Sequence, residues 1–191
     1  MMKTRLLLSI CFFFILLTGC ALPPTLQYDG REREIILQGK PLNIRIDRWG
    51  ATQFTGLIGM RQREENLHYA LLDATGVKLL EAEVNPEGGY EPVRSAGPLK
   101  NSALAPFLSQ ALARIYLQEP ATQPCSGSWW YRLCRHEKLE GGWIQYGKNG
   151  PFTLWKAEIL QGIDEKNMAI LYHQPWLGIQ ILLGQPSAVK E

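Results

Sequence analysis

From residue 33 the chain alternates apolar and polar residues, and that alternation breaks only once for a stretch of different period. LNIRIDRW (42–49) sets Leu42, Ile44 and Ile46 on one side and Asn43, Arg45 and Asp47 on the other, which is the pattern of a half-buried strand. TQFTGLIGMRQ (52–62) places Phe54, Ile58 and Met60 together, and its Gly56 and Gly59 suggest bends or a bulge. NLHYALLD (66–73) and VKLLEAEV (77–84) flank Ala74-Thr75-Gly76, a hairpin connection, and EGGYEPVRS (87–95) reads as a turn and a short edge strand. In PFLSQALARIYLQEP (106–120) the apolar residues Phe107, Leu108, Ala111, Leu112, Ile115 and Tyr116 form one helical stripe. Pro106 suits a helix start and Pro120 a stop, and Ser109, Gln110 and Arg114 fall off the stripe.

Strands resume with SWWYRLC (128–134), GWIQY (142–146), FTLWKAEI (152–159), MAILYH (168–173) and WLGIQILL (176–183), with GKNG (147–150) as a hairpin loop. Strands, one helix, then strands again argue for an antiparallel sheet with an inserted helix, not for βαβ units. The expected fold is mainly β, a curled antiparallel sheet with the 106–118 helix against its concave face. WLGIQILL is apolar on both sides, as a strand needs only where the sheet curls around its own helix or around an apolar cavity.

Ahead of the alternation stands a different signal. Lys3 and Arg5 precede LLLSICFFFILL (6–17), about a dozen apolar residues, where a spanning helix needs ~20. A basic start and a short apolar run followed by small residues describe a secretory signal. Leu17-Thr18-Gly19-Cys20 then resembles the lipobox of bacterial lipoproteins. That resemblance implies cleavage before Cys20 and acylation of its thiol and new amino group. Residues 1–19 are thus read as a signal peptide, 20–31 as the acylated cysteine and a Pro- and Gly-containing tether, 32–185 as a single domain and 186–191 as a tail. Several acyl chains anchor a protein stably where one does so only marginally. Ala21 follows, not the Asp that retains lipoproteins at the inner membrane in enteric bacteria, which points to the outer membrane and its periplasmic face.

Removing 19 of 191 residues leaves 172, and the loss of Lys3 and Arg5 brings the basic count from 20 to 18 against 18 acids. A chain near neutrality lacks the clustered positive charge of a nucleic-acid binder. With Cys11 in the signal and Cys20 carrying lipid, Cys125 and Cys134 remain as an even pair in an oxidising space, read as a structural disulfide. A redox or metal pair is the alternative, although the spacing is not C-x-x-C.

The search for catalytic residues finds none. His68, His136 and His173 lie far apart without the i, i+4 spacing of a zinc helix, and no G-x-S-x-G, Walker or Rossmann pattern occurs. No metal site and no cofactor beyond the lipid on Cys20 are expected. The six tryptophans, Trp49, Trp129, Trp130, Trp143, Trp155 and Trp176, suit either a carbohydrate platform or the core and rim of a β domain.

YALLDATGVKLLEAEVNPEGGYEPVRSAG (69–97), the helix at 106–118, GWIQYGKNGPFTLWKAEI (142–159) and MAILYHQPWLGIQILL (168–183) together resemble the LolB family of outer-membrane lipoproteins. The likeness covers roughly 33–183 as a pattern of strand lengths and turns. It is greatest to a LolB-like lipoprotein group encoded beside genes for aryl polyene lipids. The resemblance implies an unclosed antiparallel barrel whose opening is plugged by helix, an apolar cavity for acyl chains, and a LolA-like periplasmic carrier as partner. The exposed leucine of that family's loop falls on Thr75 here, which favours a different cargo or receipt without membrane insertion. Face assignment offers Phe54, Ile58, Leu71, Leu79, Leu112, Ile115, Trp143, Trp155, Ile179 and Ile181 as cavity lining. The expected function is non-catalytic receipt of an acylated cargo, a lipoprotein or an aryl polyene lipid. A structural lipoprotein with a filled core is the alternative, and a periplasmic hydrolase would need a triad or metal set that is not visible.

Overall fold

A computed structural model describes residues 41–95, 103–138, 142–160 and 169–184. Cys20, the signal, the tether and the tail at 186–191 lie outside the described residues. All described elements belong to one compact unit, Arg33–Glu191.

Among the described residues eleven strands form one antiparallel sheet that does not close. They are β1 (Leu42–Arg48), β2 (Ala51–Arg63), β3 (Asn66–Leu72), β4 (Lys78–Val84), β5 (Tyr90–Ser95), β6 (Cys125–Gly127), β7 (Tyr131–Glu137), β8 (Trp143–Asn149), β9 (Phe152–Leu160), β10 (Ala169–Gln174) and β11 (Ile179–Gly184). The order across the sheet is β5-β4-β3-β2-β1-β11-β10-β9-β8-β7-β6, so the first strand pairs with the last in the middle. Between β5 and β6 the chain forms the one α-helix among the described residues, α1 (Leu104–Leu112), which runs on as a π-helical turn over Ala113–Leu117.

The alternation does what it suggests. In β3 the buried positions are Leu67, Tyr69 and Leu71, and in β4 they are Leu80, Ala82 and Val84. The helical stripe fills the concave side: Leu108, Ala111, Leu112, Ile115 and Tyr116 are buried there against the inward faces of the strands. α1 packs on β4 and β5 and its π-helical extension on β3, while Phe107 meets Tyr172 of β10 edge to face at 6.4 Å. The helix therefore bridges the two halves of the curled sheet.

Several details differ from the sequence reading. The helix starts at Leu104, which puts Pro106 at its third residue, where an amide hydrogen would have no intrahelical partner anyway. Ser109 is fully buried, because its hydroxyl is paired with that of Tyr69 at 2.7 Å. SWWYRLC is not one strand: Ser128-Trp129-Trp130 form the turn between β6 and β7. GKNG is mostly strand, with β8 running to Asn149 and the turn at Gly150-Pro151. WLGIQILL is also divided, since Pro175–Leu177 make a 3-10 turn and the strand begins only at Ile179. Two of the apolar residues that made it look greasy on both sides are turn residues. The bulge in β2 falls at Gln53, between the pairs Ile46–Phe54 and Asp47–Thr52, rather than at a glycine.

Cys125 and Cys134 face each other across β6 and β7 and are joined by a disulfide, with Cα atoms 4.0 Å apart.

Candidate functional site

The ten residues proposed from face assignment do not share a cavity. Ile58, Leu71, Leu112, Ile115, Trp143, Trp155 and Ile181 are buried in the packed core, and Phe54 is half-buried against it. They fill the space between sheet and helix. Leu79 points the other way. The inward set of β4 is Leu80, Ala82 and Val84, and Leu79 is the unpaired residue of a bulge, since Leu71 faces Leu80 and Leu72 faces Lys78. Of the ten, Ile179 lines a cleft.

That space is a cleft of about 450 Å³ at one end of the sheet, walled by Ile46, Arg48, Gln53, Ala103, Leu104, Phe107, Leu177 and Ile179. Five elements meet there. β1 supplies Ile46 and, two residues on along the same inward face, Arg48. The β2 bulge turns Gln53 toward the opening; bulges re-aim side chains in this way. The start of α1 contributes Leu104 and Phe107, both half-buried. The 3-10 turn contributes Leu177, and β11 begins with Ile179.

The turns that shape the mouth are held together. Trp49 and Gly50 both have positive φ, 52° and 79°, as the tight hairpin turns matching strand twist require. A tryptophan is an uncommon occupant of that conformation. Its amide hydrogen donates to the Gly178 carbonyl at 2.7 Å, and its ring lies over Gly178 so closely that a Cβ there would come within 2.2 Å of it. Gly178 itself has φ +61°.

Among the described residues no acid lines the cleft. Arg48 makes no ion pair with any other described residue, so one cation stands at a mouth that is otherwise uncharged. A second depression of about 400 Å³, bordered by Asn43, Arg45, Thr55, Leu57 and Leu182 among others, is more polar.

Behind the cleft runs a polar seam. The Gln145 amide nitrogen donates to the Arg114 and Gln118 carbonyls, 2.8 Å each, at the end of the helix. The Arg114 guanidinium donates to the Tyr172 hydroxyl at 2.8 Å and lies 5.4 Å from the Trp155 ring. Burial raises the Tyr172 hydroxyl above the ordinary tyrosine range, against the opposing pull of Arg114. Burial likewise pushes Tyr69 up to about 12, although its bond to Ser109 acts the other way. These hydroxyls stay neutral and serve as hydrogen-bonding groups.

The histidines remain apart. His68 pairs with Glu81 at 3.1 Å and His136 with the Tyr146 hydroxyl at 2.8 Å. Among the described residues, no three His, Cys, Asp or Glu side chains are grouped to hold a metal ion. Of the tryptophans, Trp143 and Trp155 are buried, whereas Trp49, Trp129, Trp130 and Trp176 are exposed.

Sequence reasoning missed Arg48, Gln53, Leu104, Phe107 and Leu177. Arg48 had a usable signal, as it continues the inward series Leu42, Ile44 and Ile46. Gln53 had none, since only the pairing reveals the bulge. Leu177 was hidden by reading 176–183 as one strand. Neither a protein-family model nor a curated protein sequence matches the chain.

Proposed function

We propose that the chain is a LolB-like lipoprotein, anchored through Cys20 at the periplasmic face of the outer membrane, that receives an acylated cargo in this cleft without catalysis. The observation that carries the reading is the cleft itself: apolar walls of Ile46, Leu104, Phe107, Leu177 and Ile179 at one open end of the sheet. Its volume is within the ~300–1,000 Å³ range of small-molecule sites. Covering acyl methylenes yields ~0.8 kcal/mol each, so about ten covered carbons supply ~8 kcal/mol before the costs of association. The handover partner in this reading is a LolA-like carrier, and the cargo a lipoprotein or an aryl polyene lipid.

The packed interior favours a second reading, a structural lipoprotein with a filled core. Ile58, Leu71, Leu112 and Ile181 are all fully enclosed. Under that reading the cleft takes no chain.

Titration of residues 33–191 with a fluorescent fatty-acyl probe separates the two. Acyl receipt calls for saturable binding with a dissociation constant on the order of 1 μM. Leu177→Glu changes an exposed turn residue of the cleft wall, so it leaves the core alone and weakens binding about tenfold or more. Absence of saturable binding in the folded domain leaves the scaffold reading.

A further inference from the structure

Among the described residues most exposed large apolar side chains gather at one end of the sheet, Val77 and Val93 apart. Register places the turns β1–β2, β10–β11, β8–β9 and β6–β7 at the same end of the sheet: Arg48 pairs with Ile179, Gln174 with Ile179, Asn149 with Phe152 and with Tyr131. These turns follow one another along the edge in the order of the strands. They carry Trp49, Trp176, Leu177, Phe152, Trp129 and Trp130, from 42% to 70% exposed.

The side chains are linked along the rim. Trp49 sits on Gly178, Trp176 meets Phe152 edge to face at 5.9 Å, and the Trp176 indole donates to the Thr153 carbonyl at 3.0 Å. Trp129 and Trp130 contact each other at 3.8 Å between rings. Exposed apolar side chains gathered along one edge in this way mark an interaction site rather than the ordinary single exposed residue.

Charge follows the same polarity. The segments 48–53, 127–132, 148–153 and 173–179 contain Arg48, Arg132 and Lys148 and no acid. At the opposite end the turns at 63–66 and 84–90 contain Glu64, Glu65 and Glu87 against Arg63, and no exposed large apolar residue lies in them. The four rim turns are thus aromatic and basic, and the turns at 63–66 and 84–90 acidic and polar; the β3–β4 turn, with Asp73 and Val77, stands back from the rim, since Leu72 pairs with Leu57, six residues along β2 from Ala51.

We propose that this rim seats on an anionic lipid bilayer surface. Tryptophan rings, apolar with one polar edge, are favoured at the headgroup level, and cations beside them draw the domain to anionic lipid. A protein partner would be expected to meet some carboxylates in return for its own cations, and these four segments offer none. The inference does not depend on acyl binding, but it has a consequence for it: Arg48 and Leu177, at the cleft mouth, are rim residues too. A seated domain presents its cleft to the membrane.

The test is vesicle flotation of residues 33–191 with phosphatidylcholine alone and with phosphatidylcholine containing phosphatidylglycerol. Partitioning should be about tenfold or more stronger on the anionic vesicles. Combining Trp129→Ser, Trp130→Ser and Trp176→Ser should lower it about tenfold on both. Combining Arg132→Gln and Lys148→Gln should remove only the dependence on phosphatidylglycerol. Glu64→Gln with Glu65→Gln should change neither. Brominated lipid should quench the emission of the unmodified domain, a readout that needs no variant to fold. Any of three results overturns the proposal: no partitioning onto either vesicle, equal partitioning of the unmodified and tryptophan-depleted domains, or a stable dimer in solution whose formation shields the rim tryptophans.

Discussion

Tyr69 on β3 and Ser109 on α1, forty residues apart in sequence, share a buried hydroxyl–hydroxyl hydrogen bond of 2.7 Å. It is the polar pin between the sheet and the helix that fills it. Removing one partner strands the other in an apolar surrounding, at ~1–3 kcal/mol. Ser109→Ala and Tyr69→Phe should each destabilise by that amount, while the double variant should cost less than their sum. Urea unfolding of the four proteins in the cycle measures this, and strictly additive values would mean that the pair is uncoupled.

Gln145 has a comparable role at the other end of the helix. Its amide nitrogen donates to two main-chain carbonyls, that of Arg114 in the π-helical turn and that of Gln118 just after it. Gln145→Met keeps the bulk and removes both donations. With a buried unsatisfied group costing ~1–3 kcal/mol, a loss of ~2–4 kcal/mol is expected. Hydrogen exchange should accelerate most at Ala113–Gln118; uniform acceleration across the sheet would contradict a local role.

Glu158 gives a pH signature. Hydrogen bonds from Lys138 and then from Lys156 hold its carboxyl below the ordinary glutamate range. A carboxyl depressed in the folded state stabilises above its unfolded pKa, about 4.3, and that contribution disappears as pH falls through the lower folded value. Stability should therefore decline on acidification below about pH 4–5, and Lys138→Met with Lys156→Met should flatten that limb. An unchanged acid limb in the double variant would assign it to other groups.

The disulfide closes a short loop between the edge strand β6 and its neighbour β7, Cys125 to Cys134. For a ring of about ten residues the chain-entropy effect is ~2–3 kcal/mol. Reduction should lower the unfolding midpoint accordingly, and Cys125→Ala with Cys134→Ala should reproduce the reduced protein. Identical midpoints with and without reductant would show that the bond constrains little.

Much of the fold could be read from the sequence because burial on one face imposes a period, and period is visible in a string. Leu42, Ile44 and Ile46 in β1 and the stripe through Leu108, Leu112 and Ile115 needed nothing else. The site was less legible for the same reason. Periodicity identifies a side that is inward, but it does not distinguish packed interior from cleft wall, so Trp155 and Ile181 were chosen and Phe107 was not. Two bulges, at Gln53 and Leu79, depend on the register that neighbouring strands take up, which the string does not display. The aromatic rim was obscured because Trp129, Trp130 and Trp176 sit in turns flanked by strand-like residues and were read as strand.

The central claim is that acyl chains enter the cleft beside α1, and photo-crosslinking tests it most directly. A fatty acid bearing a diazirine near its terminus is irradiated with residues 33–191, and the adducts are located by peptide mass spectrometry. The account predicts adducts on the segments holding Leu104, Phe107, Leu177 and Ile179, suppressed by excess unlabelled fatty acid. Adducts confined to the second depression at Leu57 and Leu182, or labelling that excess fatty acid does not suppress, would contradict it.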